Sequence, residues 1–319
     1  MDKNFTDLQN KGLDEMSKID LFSGSNGNNG FIVAGVGRHP IISLLAGNHI
    51  ATGGRVIIFD TGSNFSHLTK SVNGQYIEID TKKPISIDLA SELSDGSFNI
   101  KESFILDALV DFIYSIGSVR MKYSNEEERI IKLKIDEVLN EFIPIYGKHF
   151  IRPLVEFMSG EDNPPSLITF AKNLKISMDR FNFKKFVSND DGIDISAVDF
   201  NKLFTVVDFS RIVNSDLRNA VAGALIVSIL KDLYFNKREK TVVFIDNINY
   251  FLTDDAAVPD IKPLIECLLR RSRTLNTSIV IGAESFDIIL DRSDLNKSDL
   301  SRLILNNTQY KFSSKEQNY

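Results

Sequence analysis

The chain has 319 residues, 43% hydrophobic and 25% charged, which suits a soluble globular protein with one large core or a core plus a smaller module. Its net charge of −6 argues against a free-standing nucleic-acid binder, and its single cysteine, Cys267, excludes an internal disulfide. No apolar run reaches the roughly 18 residues of a spanning helix, the N-terminus has no signal-peptide pattern, and His39, His49, His67 and His149 lack metal-ligand spacing, so a cytoplasmic protein, at most peripheral at the inner face of the membrane, is expected.

Residues 1–29 are polar and end in a run of Gly, Ser and Asn that reads as a loop. Phe31-Ile32-Val33-Ala34 then predicts a buried strand, and Pro40 followed by Ile41, Ile42, Leu44 and Leu45 predicts a helix. Between them lies Gly35-Val36-Gly37-Arg38-His39. A strand that breaks into a helix through glycines is where α/β proteins hold phosphate on backbone N–H groups. A working P-loop reads G-x-x-x-x-G-K-[ST]. Here the loop is short, Arg38 stands in place of Lys, and His39 stands in place of the magnesium-binding hydroxyl. Gly53-Gly54 closes the helix, and residues 55–60 form a second buried strand ending in Asp60. The strand's C-terminal edge is the ligand edge of an open α/β sheet, although an Asp there also serves as a turn or cap residue. A helix over 63–72, a strand over 75–80 and a short strand over 85–89 follow.

From residue 101 to 186 apolar residues recur at helical spacing, with Phe104, Ala108, Phe112 and Ile116 on one stretch and Ile130, Leu133, Val138 and Phe142 on the next. Glu126-Glu127-Glu128 behind Ser124-Asn125 reads as the acidic first turn of a helix rather than a metal site. Strands resume at 203–209, 241–246 and 278–283, separated by helices over 214–233 and 260–274, with a short helix over 298–305 and a last strand over 309–312. The expectation is an α/β protein with a mostly parallel sheet flanked by helices. It divides into an N-terminal segment (1–29), a first core part (30–100), an all-helical insertion (101–186) and a second core part (187–319).

In that order the pieces resemble the C-terminal motor domain of the VirB4 and TraC family, the ATPases of type IV secretion and conjugation. The resemblance rests on the strand into Gly35, on Gly53 through Gly62 with its Asp-Thr-Gly end, and on Asp216-Leu217-Arg218 before the strand 242–246. Arg270-Arg271-Ser272-Arg273 before the next strand and Leu303 through Thr308 complete it. It implies a RecA-like P-loop NTPase core, with Gly35, Gly37, Arg38, His39 and Asp60 as a degenerate nucleotide cradle. It also implies Asp246, Asn247 and Glu284 at the catalytic positions, and Arg270, Arg271 or Arg273 as arginine fingers toward a neighbour. Members of that family carry a large N-terminal domain that this sequence does not contain, which leaves a short paralogue, a split gene product or an excised domain as alternatives.

Each alignable catalytic position is altered. A guanidinium does not replace a compact ammonium in a tight cradle. Asn247 stands where the family has a glutamate, and an amide cannot take a proton from water. Glu284 stands where the family has glutamine. The expectation is a degenerate ATPase subunit without bound cofactor, acting as scaffold or regulatory partner in an oligomeric secretion or conjugation machine beside an active ATPase paralogue, with no direct membrane span and no nucleic acid. Asp246 and Asp60 are then expected to be neutralised by local partners such as Arg38. The alternatives are an active ATPase using ATP and magnesium through Arg38 and Glu284, a DNA-handling module, which the net charge disfavours, and an unrelated α/β protein with a glycine turn.

Overall fold

The computed structural model describes residues 6–7, 19–22, 29–34, 37–80, 87–94, 104–180, 198–236, 240–252, 255–284, 303–304 and 306–313. The strands are β1 (Thr6–Asp7), β2 (Asn29–Val33), β3 (Arg55–Asp60), β4 (Gln75–Glu78), β5 (Phe204–Asp208), β6 (Thr241–Ile245), β7 (Thr277–Ala283) and β8 (Thr308–Ser313). They form one eight-stranded sheet in the order β1-β8-β2-β7-β6-β3-β5-β4, with parallel neighbours throughout. The helices are α1 (Arg38–Ala51), α2 (Ser66–Ser71), α3 (Phe104–Gly117), α4 (Asn125–Tyr146), α5 (Ile151–Met158), α6 (Pro165–Arg180), α7 (Ser215–Phe235) and α8 (Lys262–Arg271).

The purely apolar strands are covered on both faces, as a parallel sheet requires. Period-two alternation sends Phe31, Val33, Ile57, Phe59, Val243, Ile245, Ile279 and Ile281 into one core, with α7 and α8. It sends Ile32, Val56, Ile58, Val206, Val242, Phe244 and Val280 into a second core, with Ile41, Ile42 and Leu45 of α1. The first core is the larger. It continues past the sheet through α7 and α8 into α3; α4 and α6 pack on α3, and α5 packs on α4 and α6. Helix α7 lies between the sheet and α3 and is buried along nearly its whole length from Asp216 to Leu233. Two of its buried charges are paired near the C-terminal end, Lys231 with Asp88 at 2.9 Å and with Glu92, and Asp232 with Arg55 at 2.6 Å.

The expected turns form for the expected reasons. Gly53 stands at φ +82°, and Gly53 and Gly54 N–H return to the Ile50 and His49 carbonyls, closing α1. Ser124 and Glu127 make a reciprocal capping box at the start of α4. Within the N-terminal segment β1 pairs with β8, and Leu21 and Phe22 are buried; two residues are too few to show a strand period. Two expectations need correction. Residues 87–89, the described part of the strand expected over 85–89, are irregular, with Ile87 and Leu89 buried by packing rather than by pairing. On α4 the buried stripe is Ile131, Ile135, Val138 and Leu139, whereas Leu133 is 56% exposed. The helix expected over 298–305 falls mostly outside the described residues. Among the described residues no helix is long and apolar enough to cross a membrane.

Gly47 lies inside α1, and a Cβ there meets nothing within 4 Å. Gly47→Ala is expected to raise stability by about 0.5–1 kcal/mol, because alanine loses less backbone entropy in a helix. A denaturant midpoint unchanged or lowered would contradict this.

Candidate functional site

The C-terminal ends of β3, β5 and β6 each deliver a buried aspartate: Asp60, Asp208 and Asp246, at 0%, 1% and 0% exposure. Asp60 and Asp208 are register partners. Helix α1 starts against this edge, bringing Arg38 and His39 from its first turn.

Arg38 is 6% exposed. Its Nε donates to Asp246 Oδ1 at 3.0 Å and its Nη1 to the Ala34 carbonyl at 3.2 Å. Thr61 Oγ donates to the other Asp246 oxygen, Oδ2, at 3.0 Å. His39 Nε2 lies 3.3 Å from Asp246 Oδ1, in ion-pair range but short of hydrogen-bond geometry. Burial pushes the Asp246 carboxyl upward, but His39, Arg38 and Thr61 outweigh it and hold the group below its usual range. Gly282 of β7 makes this approach possible: a Cβ there would stand 2.0 Å from the Asp246 carbonyl oxygen and 3.3 Å from Arg38 Cδ.

Asp60 works differently. Its Oδ1 accepts from Gly62 N–H at 3.0 Å and its Oδ2 from Phe65 N–H at 3.1 Å, so it shapes the turn behind β3. Of the local partners expected for the two aspartates, Arg38 serves Asp246, while the Asp60 oxygens are held by turn amides. Burial pushes the Asp60 carboxyl up to about 6, opposed by those two amides and reinforced by the charges of Asp208 and Asp246.

Asp208 escaped the sequence reading, although it ends its strand just as Asp60 and Asp246 do. Its Oδ2 accepts from Ser63 Oγ and Tyr76 OH, both at 2.7 Å, and its Oδ1 from Ser210 N–H at 2.8 Å. Ser63 sits at φ +56°, in the left-handed region, to make that reach. The turn after β3 is thus tied to all three aspartates: Asp60 through amides, Asp208 through Ser63 and Asp246 through Thr61.

Asn247 and Glu284 are brought together at the ends of β6 and β7, with Asn247 Nδ2 donating to Glu284 Oε1 at 2.8 Å. Asn247 is 7% exposed and its Oδ1 is buried without a partner, while Glu284 is exposed. Gly37 precedes α1 as its exposed N-cap, and Gly35 and Val36 lie outside the described residues. Arg270, Arg271 and Arg273 are not part of this cluster. They follow the C-terminal end of α8 and precede β7, at the opposite edge of the parallel sheet. Arg271 stacks on Phe104 at 4.9 Å, and Arg270 approaches Glu266 at 3.8 Å. Cys267 is half-buried, and burial pushes its thiol up to about 11. Among the described residues no group of three or more His, Cys, Asp or Glu is placed to hold a metal ion.

No family model matches the chain, and no curated protein matches it in sequence. Solved structures do. VirB4 of Thermoanaerobacter pseudethanolicus superposes with a TM-score of 0.66 at 16% identity, over 95% of this chain and 81% of that one. This chain has the fold of VirB4. The bacterial conjugative coupling protein TrwBdeltaN70, in its trigonal form with sulphate, gives a TM-score of 0.51 at 12% identity, over 88% of this chain and 68% of that one. Its unbound monoclinic form gives the same score. The expected RecA-like α/β core is therefore present, and the VirB4 likeness extends over nearly the whole chain. At such identities the likeness is one of fold, and activity has to be argued from the site.

One pH effect follows from the geometry. The Asp60 carboxyl is raised from 3.8 to about 6 on folding. A raised acid favours the protonated fold, so its ionisation costs nothing below pH 4 and the full amount, about 3 kcal/mol, above pH 6. Asp246, shifted the other way, does not act in that window. Asp60→Asn is expected to flatten the loss of stability between pH 4 and 6 relative to the unsubstituted chain. Urea unfolding at both ends of the window reads this, and identical pH slopes in the two proteins would refute it.

Proposed function

We propose that this chain is a non-hydrolysing, VirB4-like component of a type IV secretion or conjugation machine, in which the α/β core serves as a scaffold or regulatory partner for an active ATPase. The observation that carries the reading is the burial of Arg38 against Asp246. RecA-like cores of this kind commonly take ATP and magnesium, and the described residues do not fit that pair. Both Asp246 oxygens are already engaged, by Arg38 and Thr61. The guanidinium points back into the sheet edge rather than out toward an anion, and His39 offers no hydroxyl to a metal. Asn247 spends its amide on Glu284. Calorimetry of the purified chain with ATP and magnesium is expected to show no binding heat. Micromolar affinity, about −8 kcal/mol, would overturn the reading.

A second reading has one observation in its favour. Glu284 is an exposed carboxylate oriented by a buried amide, an arrangement that suits a general base. If the chain hydrolyses ATP through it, Glu284→Gln abolishes the activity; if it does not, there is no activity to abolish.

The partners belong to the same proposal. TrwB is by its name a conjugative coupling protein, and components of such machinery, an active ATPase paralogue among them, are the proteins this fold would meet at the cytoplasmic side of a membrane. The exposed end of α8, with Arg270 and Arg273, is the surface it would present to a neighbour. Size measurement with and without candidate secretion ATPases tests this, and a monomer indifferent to all of them would count against it.

A further inference from the structure

A buried carboxylate needs a cation, a proton or a set of hydrogen-bond donors. Asp246 is fully buried, and Arg38 meets it from the first position of α1. That position favours an anion over a cation, because the helix dipole is positive there. The guanidinium is thus held by its acceptors and not by its own helix. Its Nε reaches Asp246 Oδ1 at 3.0 Å and its Nη1 the Ala34 carbonyl at 3.2 Å. The stem of the side chain passes Gly282, where an added Cβ would stand 3.3 Å from Arg38 Cδ. Thr61 Oγ sits on the far oxygen of the same carboxylate. The carboxylate and the main-chain carbonyl around the guanidinium are hard oxygen donors, the kind a magnesium- or manganese-sized ion takes, and His39 Nε2 stands beside them at 3.3 Å from Asp246 Oδ1.

We propose that Arg38 is the resident cation of this site: its guanidinium fills the place between Asp246 and the Ala34 carbonyl that a divalent ion would need. The chain is therefore indifferent to divalent ions as it stands, and it carries a latent divalent-cation site that appears when the Arg38 side chain is removed. The inference rests on the reading that this edge of the sheet does not hold nucleotide, and it adds what occupies the edge instead. It also gives Arg38 a role that a phosphate-binding residue would not have.

Manganese titration of the purified chain, followed by electron paramagnetic resonance, tests this with five proteins: the unsubstituted chain, Asp246→Asn, Arg38→Ala, Arg38→Lys, and Arg38→Ala with Asp246→Asn. The unsubstituted chain is expected to show no manganese uptake that depends on Asp246. Arg38→Ala is expected to take up one ion, at least about tenfold more tightly than the double variant, in keeping with the loss of a metal-bound carboxylate. Its melting temperature is expected to fall by about 5–10 °C. Millimolar manganese or magnesium should restore at least half of that fall, and sodium chloride of equal ionic strength should not. Where Arg38→Ala is not recovered folded, refolding from urea with and without manganese gives the same answer, and recovery in manganese alone supports the proposal. Arg38→Lys, which keeps a cation in place, is expected to fold and to ignore manganese. Asp246-dependent uptake by the unsubstituted chain overturns the inference, as does an Arg38→Ala chain that neither binds nor is rescued by the ion. Binding of magnesium-ATP to the unsubstituted chain would overturn the functional reading instead, so the two failures are distinguishable.

Discussion

Gly282→Ala is expected to destabilise the chain by more than about 4 kcal/mol. The added Cβ would stand 2.0 Å from the Asp246 carbonyl oxygen and 3.0 Å from its carbonyl carbon. Those are backbone atoms of a central strand, so no rotamer change relieves the overlap. Asp246 N–H is itself bonded to the Phe59 carbonyl at 3.0 Å, which ties β6 to β3 at this level. Moving Asp246 aside would break that link and draw Arg38 off its partner. Overpacking in a core usually costs about 1–3 kcal/mol. With rigid backbone on both sides the cost here is expected to exceed about 4 kcal/mol, a large share of an ordinary domain's stability. Circular dichroism and urea unfolding read the outcome, with Gly47→Ala as the matched substitution in open space. A Gly282→Ala protein that melts within about 2 °C of the unsubstituted chain would show that β6 and β7 can separate at that point without loss.

Glycine inside an apolar strand is a sequence signal for close backbone approach, and Gly282 carries it. The partner of that approach is not written locally, because it lies on another strand. The same division runs through the rest of the molecule. Buried parallel strands announce themselves as short apolar runs, so β2, β3, β5, β6 and β7 are legible. Capping chemistry is equally local, and Ser124, Asn214 and Gly53 act as their residue types suggest. The apolar stripe of α4 is different. Ile130, Ile131, Leu133 and Ile135 satisfy two overlapping helical stripes, and only the packing of α4 on α3 selects Ile131 and Ile135.

At the site, strand-end position marked Asp60 and Asp246 but passed over Asp208, because Phe209 behind it continues the apolar run and hides the strand end. The roles of the marked pair also diverge for tertiary reasons. Asp60 answers to amides two and five residues away, which a turn propensity can foresee. Asp246 answers to Arg38, 208 residues distant, and to Thr61, 185 residues distant. Whether Arg38 turns outward to an anion or inward to a carboxylate depends on β2 and β6 standing on either side of β7, and nothing around Arg38 in the chain encodes that.

The Arg38–Asp246 pair is expected to be costly to break and cheap to replace. Side-chain exposures of 7% and 0% put the ion pair out of reach of solvent screening. Asp246→Asn leaves a guanidinium buried against a neutral amide, and Arg38→Met leaves a buried carboxylate with only Thr61 and the half-buried His39 beside it. Each single change is expected to destabilise by about 3–5 kcal/mol, the usual consequence of an uncompensated buried charge. The double substitution removes both charges. Methionine fills the arginine stem's path along Gly282, and Thr61 Oγ can still donate to the oxygen of the introduced side-chain amide in place of the carboxylate. The double variant should therefore lose far less than the sum of the two singles, with a coupling energy of about 2–3 kcal/mol. Because the pair is buried, that coupling should survive in about 0.5 M salt, where exposed pairs such as Arg152–Glu156, with side chains 81% and 64% exposed, lose theirs. Urea unfolding of the four proteins at low and high salt measures it. Coupling below about 0.5 kcal/mol, or coupling that disappears in salt, would mean that the two charges are solvated independently and that Asp246 is not held by Arg38.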